Sequence, residues 1–188
     1  MFKKNKKSLK NPELQKKYNR SETSFCRERL KGYCKGNGLD LGYGGDPIVP
    51  NAITVDVPET NYAVGAVPLN LKGDASNLFW FKDEAMDYVY SSHLLEDFEK
   101  NKTKSVLLEW LRVLKIGGHL ILYLPDEQAY RKHCKETGQE YNAAHKISDF
   151  SLNYLKDILN KFDNVVIIHE NPHVEVYSFE IVVKKCKK

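Results

Sequence analysis

The chain has 188 residues, 41% hydrophobic and 29% charged, enough apolar material for one globular domain with a core of its own. Of the net charge of +4, residues 1–20 carry seven Lys, one Arg and one Glu and the last five residues carry four Lys, which leaves residues 21–183 at −7. An acidic body with basic ends argues against nucleic acid as the partner, because such binders show the basic face on the domain itself. No apolar run reaches the roughly 18 residues of a membrane span, and the basic N-terminus lacks the apolar stretch of a secretory signal. Four cysteines without Cys-x-x-Cys spacing suit reduced thiols in a cytoplasmic protein.

Residues 1–10, rich in Lys and Asn, read as a disordered basic tail, and residues 11–188 as a single domain. From Pro12 to about Tyr33 the pattern suits one or two helices with Leu14, Tyr18, Phe25 and Leu30 on the buried side. "GLDLG" and "AITVDV" read as strands, the second ending at Asp56–Val57, and "VPLNLKGDA" is a weaker one. The aromatic run Phe79-Trp80-Phe81 reads as core packing. "AMDYVYSS" is a clear strand. "TKSVLLEWLRVLK" has a broad apolar face of Val106, Leu107, Trp110, Leu111, Val113 and Leu114, and the spacing predicts a helix that stops at Gly117–Gly118. "HLILYLP" follows as a buried strand, with helices near 127–137 and 151–161. "NVVIIHE" and "VEVYSFEIVVKK" close the chain as an antiparallel pair joined at "NPH". Strands alternating with helices predict an α/β fold: a Rossmann-like, mostly parallel sheet with helices on both faces and an antiparallel C-terminal strand.

The most informative stretch is "GLDLGYGGDP", Gly38 to Pro47. A glycine-rich turn directly after the first strand is where open α/β sheets bind ligands. Read as a dinucleotide fingerprint from Gly42, its third glycine is replaced by Pro47. Only seven residues, Asp46 to Ala52, then precede Ile53, too few for a crossover helix, which takes roughly ten or more. Without that helix N-terminus a pyrophosphate loses its main anchor. NAD(P) is thereby disfavoured, and a ligand without phosphates is favoured.

S-adenosylmethionine is such a ligand. It needs close backbone approach, a carboxylate for the ribose hydroxyls, and an acceptor for the adenine amine. Gly42, Tyr43 and Gly44 supply the loop. Asp40 precedes them and can receive the ammonium group. Asp56, at the end of the second strand, can accept from both ribose hydroxyls, and Val57 can pack on the adenine. Asp74 can accept from the adenine amine beside the Ala75 N–H, or it caps the segment that follows. Ser91, at the end of the fourth strand, completes the expected cofactor set.

These residues, together with "MDYVYSSHLLEDF" and "LLEWLRVLKIGGHLILYLPDE", resemble the class I S-adenosylmethionine-dependent methyltransferases over about residues 36–126. The likeness is to small bacterial enzymes of the ubiquinone-type and sugar or glycan groups. It implies a methyltransferase with S-adenosylmethionine as cofactor. Two features depart from that pattern: Tyr43 stands where a small residue or Cys is common, and the first crossover helix is truncated.

Methyl transfer to a hydroxyl needs a base, and His93 and His145 are the candidates, the first just past the fourth strand and the second in the insertion expected to form the acceptor lid. Glu96 and Asp97 read as acids opening the next helix. His169 and His173 are not read as a metal pair, and no metal is expected. The family's nucleic-acid methylators carry an Asn/Asp-Pro-Pro-aromatic motif where this chain has Ser91-Ser92-His93-Leu94, which favours a hydroxyl or amine of a small metabolite or glycan precursor as acceptor. Three alternatives stay open: an NAD(P)-dependent oxidoreductase, an inactive cofactor-binding partner subunit, and an RNA methyltransferase.

Overall fold

A computed structural model describes residues 21–57 and 68–187. The expected tail, 1–10, and the helix positions Leu14 and Tyr18 lie outside the described residues. The chain opens with α1 (Glu22–Leu30), whose first turn is capped by the Ser21 hydroxyl accepting from the Ser24 N–H at 3.1 Å. Then come β1 (Gly38–Leu41), β2 (Ile53–Asp56), β3 (Leu71–Lys72), β4 (Met86–Ser92), α2 (Thr103–Val113), β5 (Leu114–Pro125), α3 (Glu127–Thr137), α4 (Leu152–Leu159), β6 (Val165–Val174) and β7 (Ser178–Lys185). Among the described residues the sheet has seven strands in the order β3-β2-β1-β4-β5-β7-β6. The first five pair in parallel, and β7 runs antiparallel to both β5 and β6. The strand order reverses between β1 and β4, where such sheets open a crevice at the carboxyl ends of the strands.

Two apolar layers cover the sheet, and the alternation of strand side chains sorts the residues between them. Val89, Leu120, Leu122, Leu124, Phe179, Ile181 and Val183 pack with Trp110 of α2 and Leu155 of α4 on one face. Tyr88, Tyr90, Ile121, Tyr123 and Val182 pack with Cys26 and Leu30 of α1 on the other. Strands covered on both faces read as continuous apolar runs, which is why β1 and most of β4 are buried throughout. Trp110 is fully buried and its indole N–H donates to the Ala75 carbonyl at 2.8 Å, tying α2 to the segment after β3.

Several local expectations are corrected. α2 ends at Val113, four residues short of Gly117, because Leu114 is already extended and pairs with Met86. The glycines instead form a bulge: the next pair is Tyr88 with His119, Gly117 has φ +85°, and a Cβ on Gly118 would lie 2.9 Å from the Asp87 carbonyl. The last hairpin turns at residues 175–177, not at Asn171-Pro172-His173, which lie within β6. Pro172 has no N–H to donate and is tolerated there because β6 is an edge strand whose register shifts between Asn171 and Val174. Phe79 and Trp80 are 67% and 41% exposed instead of buried: Leu78 takes the core position, and the two rings stack on each other at 4.2 Å. Phe25 is half-buried, and Thr23 and Cys26 take the inward side of α1 together with Leu30. Lys184 and Lys185 close β7, as the strand reading of "VEVYSFEIVVKK" expects. Lys185 is buried, its Nζ donating to the Leu114 carbonyl at 2.7 Å.

Candidate functional site

No helix follows β1. Residues 42–52 run as turns and bends, so the first crossover lacks a helix altogether. The loop is braced from outside. Arg27 of α1 pairs with Asp46 and also donates to the Pro47 carbonyl at 3.2 Å, and Ser21 donates to the same Asp46 carboxylate. Gly42, Gly44 and Gly45 all have positive φ, at 67°, 58° and 92°. A side chain on Gly42 would meet Leu94 at 2.9 Å, whereas nothing lies within 4 Å of the Cβ position of Gly44. The first glycine is thus demanded by packing. The second leaves backbone open to close approach.

Asp40 lies buried beneath this loop. One carboxylate oxygen accepts the Ile48 N–H at 2.7 Å; the other is buried with no hydrogen-bond partner among the described residues. Burial pushes its carboxyl up to about 8. Asp56, at the carboxyl end of β2, accepts from the Val57 N–H at 2.8 Å and the Gly44 N–H at 3.3 Å, which joins the glycine loop to the second strand.

Gly42, Asp56, Val57, Asp74 and Ala75 line one cleft, together with Gly73, Leu94, Asp97 and Phe98. It holds about 200 Å³ and opens to solvent at its mouth. Its walls come from the ends of β1, β2 and β3 and from the connection after β4. Asp74 is exposed and one of its oxygens accepts the Ser76 N–H at 2.7 Å, so it also caps the turn it begins. Gly73 is pressed by Trp80, whose ring would lie 2.0 Å from a Cβ there. Of the other expected cofactor residues, Tyr43 and Gly44 belong to the loop beside the cleft. Ser91 is fully buried, and its hydroxyl donates to the Leu41 carbonyl at 3.0 Å, bridging β4 and β1.

His93 and His145 come together in a second cluster, formed where the β4–α2 connection meets the segment between α3 and α4. The Lys146 N–H donates to the Glu96 carbonyl at 2.9 Å and fastens the two segments. His93 has φ +48°, a strained value for a side-chain-bearing residue, and its N–H donates to the Tyr123 carbonyl at 3.0 Å. Its Nε2 lies 3.3 Å from Ser178 Oγ and 3.5 Å from Glu22, and burial pushes the imidazole below its ordinary value. His145 Nδ1 lies 2.9 Å from Glu127, whose carboxylate also takes Arg131 Nε at 2.8 Å and the Tyr141 hydroxyl. Glu96 is fully buried beside both histidines, and burial, reinforced by Asp97, pushes its carboxyl well above the usual range. The rings of Tyr130 and Tyr177 pack against each other at 5.0 Å, Tyr130 also against His145 and Tyr177 also against His93.

Sequence reasoning missed Leu94, Asp97 and Phe98 as cleft residues and Glu22, Glu127, Tyr130 and Tyr177 as neighbours of the histidines. The position of "HLLEDF" directly after a central strand was signal enough for the first group. The second comes from three separate segments, and no local pattern marks it.

Residues 39–122 match the family model for a methyltransferase domain. No curated protein matches the sequence. Many solved structures share the fold, among them three from archaea and bacteria. One is a Pyrococcus horikoshii protein, 18% identical, with a TM-score of 0.65 over 94% of this chain and 92% of that one. Another is a S-adenosylmethionine-dependent methyltransferase from Archaeoglobus fulgidus, 19% identical, with a TM-score of 0.65 over 92% and 98% of the two chains. The third, 22% identical, is a methyltransferase from Thermotoga maritima described as a possible histamine N-methyltransferase, with a TM-score of 0.61 over 89% and 88%. The sheet order, the glycine loop at the switch point and the domain match define a Rossmann-like methyltransferase fold. Residues 39–122 thus carry a methyltransferase domain, whose cofactor is S-adenosylmethionine, within a chain that has the fold of such enzymes throughout. No helix among the described residues is long and apolar enough to cross a membrane.

Proposed function

We propose that this enzyme methylates a hydroxyl or amine of a small metabolite or glycan precursor, in the cytoplasm. The observation that carries the reading is the convergence of Gly42, Asp56, Val57, Asp74 and Ala75 on one cleft that adjoins a buried histidine–carboxylate cluster. In this reading Asp56 receives the ribose hydroxyls, Val57 with Leu94 and Phe98 covers the adenine, and Asp74 with the Ala75 N–H meets its polar edge. The open backbone at Gly44 admits the cofactor closely. The unpartnered oxygen of Asp40 suits a cationic group, which a buried, singly satisfied carboxylate favours.

S-adenosylmethionine supplies a methyl group on a positively charged sulfur that is displaced in line. The protein's part is therefore alignment and exclusion of water. His93, held at the carboxyl end of β4 in a strained backbone, is the base we favour. His145 has its Nδ1 engaged by Glu127 at 2.9 Å, where the nearest carboxylate to His93 lies at 3.5 Å, and is the weaker candidate. Glu22 and Glu127 beside these histidines disfavour a polyanionic acceptor such as RNA, whose phosphates they would repel. Free buried Cys26, Cys34 and Cys134 suit a reducing compartment.

Radiolabelled-methyl transfer from S-adenosylmethionine into a fractionated cell extract tests this. Label is expected in the small-molecule or glycan fraction and reduced with Asp56→Ala at limiting cofactor. Label confined to RNA or protein overturns the acceptor assignment.

A further inference from the structure

Glu96 is fully buried, and neither carboxylate oxygen makes a hydrogen bond among the described residues. Asp97 Oδ1 is buried without one as well. A buried acid left so is costly and points to a missing partner of positive charge. His145 Nε2 lies 3.7 Å from Glu96 Oε1, too far for a hydrogen bond. It is close to the spacing of two donors sharing one cation, since bonds of about 2.0–2.2 Å separate neighbouring ligand atoms by roughly 3.0–3.6 Å. One donor atom each from Glu96, Asp97 and His145 lie within 4.8 Å of one another.

The imidazole is also oriented for such a role. Glu127 is held by Arg131 and Tyr141 and faces His145 Nδ1 at 2.9 Å, so the ring proton belongs on Nδ1 and the Nε2 lone pair faces Glu96. A carboxylate on one imidazole nitrogen that orients the other toward a metal is the usual outer partner of a histidine ligand. We propose that the carboxylates of Glu96 and Asp97 and the Nε2 of His145 bind one divalent cation, with Glu127 as the orienting residue behind the histidine. The mixed oxygen and imidazole set suits Mn²⁺ or Zn²⁺ better than Mg²⁺. Three protein ligands leave coordination positions for water or another oxygen. Asp97 also lines the cleft, so the cation site adjoins the cofactor site. On the proposed hydroxyl chemistry, an acceptor oxygen in one of those positions would lose its proton more readily.

The full chain, stripped with EDTA and dialysed, is titrated with MnCl₂, ZnCl₂ and MgCl₂ by calorimetry, with Mn²⁺ binding followed independently by EPR. One equivalent of Mn²⁺ or Zn²⁺ is expected to bind and to raise the melting temperature, with Mg²⁺ weaker. Glu96→Gln should weaken binding at least tenfold, and Glu127→Gln by about ten- to a hundredfold. Circular dichroism and cofactor binding check that Glu96→Gln is folded, and if it is not, the partly exposed Asp97→Asn takes its place. No binding by the wild type, or equal affinity in the folded variant, overturns the site. Cofactor titration of the stripped wild type is read separately: intact cofactor binding without metal binding sinks the cation alone, and loss of cofactor binding in metal-loaded protein sinks the cofactor-cleft assignment alone.

Discussion

The Asp40 carboxylate accepts the Ile48 N–H at 2.7 Å, and that single bond joins β1 to the far limb of the glycine loop. It satisfies one oxygen and leaves the other buried beneath the loop. Burial raises this carboxyl to about 8 from its ordinary value of 3.8, so the folded protein keeps a proton that the unfolded chain gives up. Stability from this group is present in full below about pH 4 and is lost as pH rises toward 8. Thermal melts of the cofactor-free protein between those limits should show the fall, and Asp40→Asn should flatten it. Identical slopes in the two proteins would refute the assignment.

Asp56 joins the loop to the second strand and is the proposed ribose ligand. Asp56→Ala is expected to weaken S-adenosylmethionine binding by about 1–3 kcal/mol, the range for leaving buried hydroxyls unpaired. Isothermal titration measures this directly, and an unchanged affinity removes Asp56 from the cofactor site.

The two loop glycines should respond differently to alanine. Gly42→Ala meets Leu94 as well as the left-handed backbone, so it should lower stability by more than the roughly 1–2 kcal/mol of backbone strain alone. Gly44→Ala meets nothing within 4 Å and should lose no more than that strain, yet weaken cofactor binding. Melting and titration of both variants separate the effects. Equal melting temperatures would show that the Leu94 contact is unimportant.

Arg27 reaches from α1 to the loop, which has no helix of its own to hold it. The pair with Asp46 is partly exposed, so Arg27→Ala should lower global stability by only about 0–1 kcal/mol. Its larger effect is expected on cofactor affinity, through a loosened loop. A variant that binds the cofactor as wild type does would show that the loop holds its shape unaided.

His93→Asn keeps a polar group at the strained position but has no base. Turnover should fall by roughly a hundredfold or more while cofactor affinity is kept. A parallel loss of cofactor affinity would assign His93 to binding instead.

The architecture was largely legible because each strand carries its own local marks. "AMDYVYSS" and "HLILYLP" are buried on both faces, and a continuous apolar run is how that burial is written in sequence. The misplacements were local. Gly117–Gly118 looks like a helix stop, but the pairing of Leu114 with Met86 begins the strand earlier and turns the glycines into a bulge. Pro172 looks like a turn until an edge position makes its missing N–H harmless. Phe79 and Trp80 look like core until Leu78 is seen to fill the available space.

By itself the sequence determined the strand order's raw material, the absence of a first crossover helix, and the acids placed at strand ends, because chain length and periodicity act locally. Only the tertiary structure decided that Arg27 braces the glycine loop, that Leu94 and Phe98 complete the cleft, and that Glu96, Asp97 and His145 meet. Those contacts join segments up to about fifty residues apart, and their distances follow from how the sheet twists and how the α3–α4 segment folds back on β4, which no spacing in the chain encodes.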